Sequence, residues 1–576
     1  MKLLKYVALA VAVSFSSCTK ELLDKEPIGE LTDPAFWNSE SNIRTYSFGF
    51  YNSYFKGYGS GFTWAKYFSG ESLNDDFAPT TPTQFTLNVP TSGGGWSPTL
   101  PATQTPTGVT SYYSRIRKAN HFIASIPLAK LSKDVENNWI GVGRFLRALE
   151  YASFVNAFGD VPYIDRVLAE NDPEMYRERD ARTFVMDKVL EDFKFAAENV
   201  RPTATSDKLE IDRNVVLAHM SRIFLFEGTW LKYHNIDATR AKTYLEAAKW
   251  AANEVIKTGK FALNADYRGL FTSEDLKGNS EIILYRQYTD GVLSHSLLSY
   301  NNLEVQTGIS KNAVDNFLGA DGLPIALSKV YQGDTNISNV LANRDPRLQA
   351  TVGAELRIMN MFSNYSSTGY VTHKFLNEAI KNTVNATGSK NTTDAPVIRY
   401  GEVLMNYAEA AAELGNLTQA DLDLSINVLR ARKGVNLPKL QVLGGQPAVN
   451  DVVYDDPARD KSVSSLIWEI RRERRSELIF EGFRRDDLRR WKKLTYADTE
   501  LNPSINLGAY INLDDYKNDL KGIYINSTGR KGYIVPAPAA ATQRRVLDKY
   551  YLDPIPIDQI TLYQQNGKTL TQNPGW

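Results

Sequence analysis

Cysteine is almost missing from this chain. Cys18 is the single thiol in 576 residues, so no intramolecular disulfide can form and the lone thiol needs another explanation. Histidine is scarce as well: His121, His219, His234, His295 and His373 lie far apart with no HExxH pair, which excludes that class of zinc site and leaves structural roles. There is no Gly-x-Ser-x-Gly elbow, and Gly567-Lys568-Thr569 lacks the upstream glycine of a phosphate loop. Net charge is also absent, because 66 Lys plus Arg balance 66 Asp plus Glu; no global field draws the chain to nucleic acid, and no such partner is expected. Beyond the N-terminus no apolar run approaches the length that spans a bilayer. No cofactor, no metal and no catalytic constellation is indicated. Only a carboxylate pair assembled by folding, as in glycosidases, escapes a reading of spacing.

Aromatic residues are plentiful, at 11% with 31 Tyr, enough to expect rings at the surface as well as in the core, which favours a binding protein. Met1–Ser17 reads as a signal peptide, with Lys2 and Lys5 before the short apolar run Val7–Phe15. Cys18 sits where cleavage falls and resembles the cysteine of a bacterial lipobox, although Phe15 and Ser17 depart from its strictest form; lipidation there implies a membrane anchor without a span. Lys20-Glu21 resembles the charged export signal of surface lipoproteins in Bacteroidetes.

Length suits several domains or one large composite unit. A helix start is expected at Thr32 or Asp33, with Pro34 in the first turn. Phe62–Pro106, rich in proline around Gly93-Gly94-Gly95-Trp96, reads as a long irregular loop. Helical periodicity predicts Tyr112–Ile126, Ile140–Phe158, Arg182–Val200, Asn214–Lys232, Ala241–Thr258, Val397–Leu414 and Leu422–Lys433. Small residues such as Ala148, Ala152, Ala408 and Ala411 suggest close helix-hairpin stacking of the tetratricopeptide kind, without a strict 34-residue period. Glu281–Tyr288 is a short β-type run inside a largely non-helical insert, Gly259–Asn391, and Leu501–Gly532 is irregular. The fold class is therefore mainly α: a helix-hairpin bundle with irregular loops and a few short strands.

Ser464–Leu494 is the most unusual stretch. Glu469, Glu473, Glu477 and Glu481 recur every four residues, so on one helix they stack and repel, and neighbouring arginines must neutralise them. Arg472 is within helical reach of Glu469, Arg474 of Glu477, and Arg484 and Arg485 of Glu481. The expected role is a structural lattice rather than a site.

Several segments resemble, in order, the SusD/RagB family of Bacteroidetes surface lipoproteins: Arg144–Ile164 with its Gly-Asp-Val-Pro turn, Asn312–Ile325, Asn343–Leu348, Ile398–Gly415, Glu481-Gly482-Phe483-Arg484 and the tail ending LTQNPGW. The resemblance implies a signal peptide over 1–17, an N-terminal region over 18–232 and a C-terminal region over 233–576, packed as one globular unit. It also implies a nutrient-binding protein without enzymatic activity, usually for glycans, beside a SusC-like TonB-dependent outer-membrane transporter. Peptide binding is the alternative within the family, and a surface glycoside hydrolase the alternative outside it.

Sugar recognition needs flat aromatic faces and planar polar partners. Trp96 takes first place, in a loop where relatives carry a stacking aromatic; Tyr300, Asn301, Asn74 and Asp75 follow, and Cys18 is the lipidation site.

Overall fold

The computed structural model describes residues 36–92, 111–516 and 520–576. Cys18, the signal peptide and Trp96 lie outside the described residues. Helix α1 (Glu40–Phe48) is capped by Ser39, whose Oγ accepts from the Asn42 amide; the helix start expected at Thr32 or Asp33 lies outside the described residues. The next helices form the scaffold: α2 (Tyr112–Ser125), α3 (Lys133–Phe158), α4 (Arg182–Asn199), α5 (Arg213–Tyr233) and α6 (Ala238–Lys257). Each packs on its successor, and α7 (Tyr400–Glu413) closes the row against α5 and α6. Predicted ends hold to within three residues except in α3: α6 starts three residues before the expected Ala241, and residues 397–399, expected as the first turn of α7, are extended strand. Helix α3 begins earlier because its first turns are polar. Asp134 and Glu136 suit the positive end of that helix.

Caps explain several boundaries. Asp212 accepts from the Val215 amide at 2.9 Å and starts α5; Asp237 accepts from Arg240 at 2.9 Å and starts α6 after a short turn. The two helices approach so closely at Gly228 that an added Cβ would meet Leu245 Cγ at 2.8 Å and the Ala241 carbonyl at 3.0 Å. Ala248, Ala251 and Ala252 are fully buried in the same seam. Leu422–Lys433, expected as one helix, is instead two short ones, Gln419–Leu424 and Ile426–Arg430. Ser425 breaks them at φ −131°, ψ −92°, with its hydroxyl donating to the Asp421 carbonyl.

The remaining chain forms a loop-rich half. β1 (Ile282–Arg286) pairs antiparallel with β2 (Ala395–Arg399), which leads directly into α7 and so ties the insert to the scaffold. Around it the insert folds as short helices and turns over a second core containing Tyr58, Phe68, Phe77, Tyr267, Phe271 and Phe375. The small sheet β3 (Gln441–Leu443), β4 (Gln446–Val449), β5 (Val452–Val453) and the hairpin β6 (Tyr510–Asn512), β7 (Lys531–Tyr533) complete it.

Where the two halves meet lie α8 (Ser465–Leu478) and α9 (Arg484–Arg490). The stretch expected as one helix breaks between them, since Phe480 and Gly482 adopt φ +63° and +85°. Phe480 gives its carbonyl to the Phe68 amide at 2.7 Å and its ring stacks on Phe77. Glu469, Glu473, Glu477 and Glu481 are all buried and all matched, as a lattice requires, but mostly by distant arginines. Only Arg472 with Glu469, at 3.1 Å, follows the local spacing. Glu477 is met by Arg399 (2.7 Å), Arg432 (2.8 Å) and Arg347 (2.9 Å), Glu473 by Arg347 and Arg430, and Glu481 by Arg399 and Lys374. Arg474 turns to Asp487, Arg484 to Asp75 and Arg485 to Glu71.

Burial works to raise the Glu477 carboxyl, but the guanidiniums of Arg432, Arg399 and Arg347 outweigh it and hold it at about 2. For the Lys374 ammonium burial prevails and draws it down to about 8, against the attraction of Glu481.

Candidate functional site

The face of the loop half nearest the scaffold is organised by the segment Gly59–Gly70. Gly59 sits at φ +95°, where a Cβ would lie 1.9 Å from the Thr63 carbonyl, so only glycine closes this turn. Its neighbour Ser60 donates to the Thr63 carbonyl at 3.0 Å, and the Gly61 amide donates to Ser294 at 2.8 Å, tying the turn to the one that carries Val292. At these turn tips Phe62 is 74% and Val292 83% exposed. Trp64 Nε1 donates to Ser296 Oγ at 2.9 Å, and the Trp64 ring stands edge-on to Tyr300 with centroids 4.2 Å apart. Tyr300 in turn takes the Thr307 amide on its hydroxyl at 3.0 Å, which fixes its ring.

Behind Trp64 a cavity of about 620 Å³ opens between scaffold and loops, lined by Tyr54, Trp64, Tyr67, Asn156, Arg222 and Phe483 among others. Arg222 grips Glu402 through two 2.6 Å bonds and lies over the Phe483 ring at 5.2 Å. Tyr54 donates to Glu150 at 2.6 Å and Tyr67 to the Pro396 carbonyl. Burial pushes both phenols well up, so they remain neutral donors at any physiological pH. Lys56 also lines the cavity; burial draws its ammonium down, and Arg115 and Lys66 add to that. The result is a hollow with aromatic walls and planar hydrogen-bonding groups, the composition that polyhydroxylated rings need.

Of the residues expected to meet ligand, Tyr300 lies in this neighbourhood, half-buried beside Trp64. Asn301 is 1% exposed; its amide nitrogen donates to the Leu297 carbonyl at 2.8 Å and its oxygen is buried without a partner. Asn74, 3% exposed, closes a turn instead, donating to the Glu71 carbonyl at 2.7 Å and accepting from the Asp76 amide at 2.9 Å. Asp75 is buried, with Arg484 donating to its two oxygens at 2.6 and 2.8 Å. Burial would raise that carboxyl, but Arg475 and Arg484 hold it at about 2. Phe62 and Trp64 are the aromatics that a reading centred on Trp96 passes over; alternation of Gly, Ser and aromatic residues through Gly59–Trp64 is their signal. Among the described residues no group of three His, Cys, Asp or Glu side chains could hold a metal ion, and no helix is long and apolar enough to cross a membrane.

The fold is thus a row of helix hairpins that presents a loop half with an aromatic, polar hollow. A family model described as "SusD family" matches residues 299–576, and one described as "Starch-binding associating with outer membrane" matches residues 23–225. The chain belongs to the SusD/RagB family. It is 23% identical to a SusD-like protein of Formosa agariphila over 537 residues, covering 86% of this chain and 93% of that one. Among solved structures, a SusD-like carbohydrate-binding protein from Bacteroides fragilis superposes with a TM-score of 0.67 at 21% identity, covering 92% of this chain and 99% of the other. A laminarin-binding SusD-like protein gives 0.53 at 19% identity, covering 94% and 100%. These structural likenesses establish the fold.

Proposed function

We propose that this chain is a surface glycan-binding lipoprotein, anchored through Cys18 at the outer membrane, that captures oligosaccharide on its loop half and passes it to a TonB-dependent transporter without cleaving it. The observation that carries the binding role is Trp64, which lines the aromatic, polar cavity and stands edge-on to Tyr300, with the exposed Phe62 two residues before it in the chain. An aromatic face stacks on the apolar side of a sugar ring, while the Asn156 amide nitrogen donates to its hydroxyls and the phenol oxygens of Tyr54 and Tyr67, whose protons go to Glu150 and the Pro396 carbonyl, accept from them. Trp96, outside the described residues, stays a candidate ligand contact. Family membership, relatives described as carbohydrate-binding and a family model described by outer-membrane association all support this reading.

Calorimetry and affinity electrophoresis against starch, laminarin and xylan test the site, with Trp64→Ala, Tyr300→Ala and Trp96→Ala beside the parent chain. Loss of about tenfold in affinity for Trp64→Ala is expected, the worth of one good aromatic contact. Unchanged affinity in all three variants would remove the loop face from the site, and binding of peptides in place of glycans would move the ligand class.

A further inference from the structure

The side of α8 that carries Trp468 and three arginines walls a second cleft, of about 540 Å³, that shares no lining residue with the cavity behind Trp64. Trp468, Arg471, Arg472 and Arg475 stand at i, i+3, i+4 and i+7, one face of the helix, and all four line it. Tyr496, Asn502 and Ser504 face them from the segment after α9. Within the size range of small-molecule sites, roughly 300–1,000 Å³, this is room for a short oligosaccharide.

The chemistry of the walls selects among ligands. Trp468 is half-buried, its Nε1 held by Asp456 at 2.9 Å, so the indole is fixed in place while part of it still faces the opening. Tyr496 is set by Asp460, and the Arg471 guanidinium lies 4.3 Å from the centre of the Trp491 ring. Every arginine in the cleft has a carboxylate: Arg475 has Asp76 at 2.7 Å, Arg484 has Asp75, Arg472 has Glu469 and Asp456, Arg459 has Asp455 at 2.6 Å and Arg471 has Glu413 at 3.3 Å. With its cations already matched, the cleft offers an anion little net attraction. It offers a neutral polyol a ring to stack on and a dense set of fixed, planar donors and acceptors. We infer that this cleft is a second carbohydrate-binding site, for neutral oligosaccharide, built on the same helix whose carboxylates hold the fold. The ligand class rests on the carbohydrate reading above; the location does not.

The test is hydrogen–deuterium exchange of the full chain with and without maltoheptaose, laminarihexaose or xylohexaose. Ser504 is exposed at the rim, so Ser504→Trp fills the opening without disturbing the core, and Trp468→Ala removes the stacking ring. Ligand protection is expected in residues 456–475 and 496–505 as well as in 60–70 and 296–307. Ser504→Trp should abolish the first pair and spare the second, and Trp468→Ala should weaken cleft occupancy by about tenfold. Protection confined to 60–70 and 296–307, or cleft protection that survives Ser504→Trp, overturns this inference and leaves the loop-face site standing. Protection confined to the cleft does the reverse, and none with any of the three sugars overturns both.

Discussion

Replacing Glu477 by Gln removes one charge and almost no volume from the centre of the lattice. Glu477 is fully buried and accepts from Arg399 at 2.7 Å, Arg432 at 2.8 Å and Arg347 at 2.9 Å. Breaking a buried pair by neutralising one partner costs about 3–5 kcal/mol, because the surviving charge stays buried. A second figure comes from the depression of the Glu477 carboxyl. A carboxyl held at about 2 in the fold and at the ordinary 4.5 when unfolded contributes about 3 kcal/mol at neutral pH, at about 1.4 kcal/mol per unit. With an unfolding entropy of about 2 cal/mol/K per residue, a loss of this size lowers the melting temperature of a single cooperative unit of this length by roughly 2–4 °C.

The pH dependence has a definite sign. Since the folded value is depressed, the stabilisation is present above the unfolded value and is lost as pH falls from about 5 toward 2. Calorimetric melts of parent and Glu477→Gln should therefore differ at pH 7 and converge in acid, with glycan affinity unchanged throughout. A gap that stays constant with pH would show a steric effect and refute the electrostatic account. Lost binding at intact stability would place Glu477 in the site and refute the structural assignment.

Two further substitutions probe the turns. Gly482→Ala places a Cβ 2.5 Å from that of Lys66 in a residue at φ +85°, so a destabilisation of about 2 kcal/mol or more is expected from strain and clash together; a melt within a degree of the parent would contradict it. Asn74→Ala deletes both bonds of its turn and should cost about 1–2 kcal/mol in urea unfolding while leaving affinity for every glycan unaltered; reduced affinity without reduced stability would return Asn74 to the ligand site.

The helical scaffold was legible because apolar period 3.6 is a local property: α4 and α5 lie within a residue of where it put them and α6 and α7 within three, the first three residues expected in α7 belonging to β2. What failed was whatever depends on distant chain. Glu473 and Glu477 announce by their spacing that cations must surround them, yet the spacing names only Arg472, Arg474, Arg484 and Arg485. The arginines that do most of the work arrive from positions 347, 399, 430 and 432. The break after Leu478 had a visible sign in Gly482, whereas the one at Ser425 had none. In the site the same division holds. Asn74 and Asp75 in a polar loop suggest an exposed ligand contact; the structure buries both, Asn74 in its own turn and Asp75 against Arg484 in the wall of the cleft on α8. Tyr300 was named from its aromatic surroundings; its partner Trp64 is 236 residues away and could not be paired with it by any spacing rule.

The lattice is hard to explain by stability alone, since replacing buried ion pairs with well-packed apolar residues is often neutral or favourable. What it supplies is geometry. Arg347 bonds Asp345, Glu473 and Glu477 at once, and Arg399, one residue before α7, bonds Glu281, Glu477 and Glu481. Planar guanidinium forks accept only a narrow range of carboxylate positions, so these contacts fix α8 in both rotation and translation, which an apolar stripe able to slide by a residue does not. A slip of one residue would rotate α8 by about 100° and carry Trp468, Arg471 and Arg475 out of their cleft. Charge therefore constrains the helix so that it can present side chains at fixed positions. The same contacts hold β2 and Glu481 in register, and Arg399 and Glu481 both border the cavity behind Trp64. These two hollows thus share a single positioning device, although they share no lining residue.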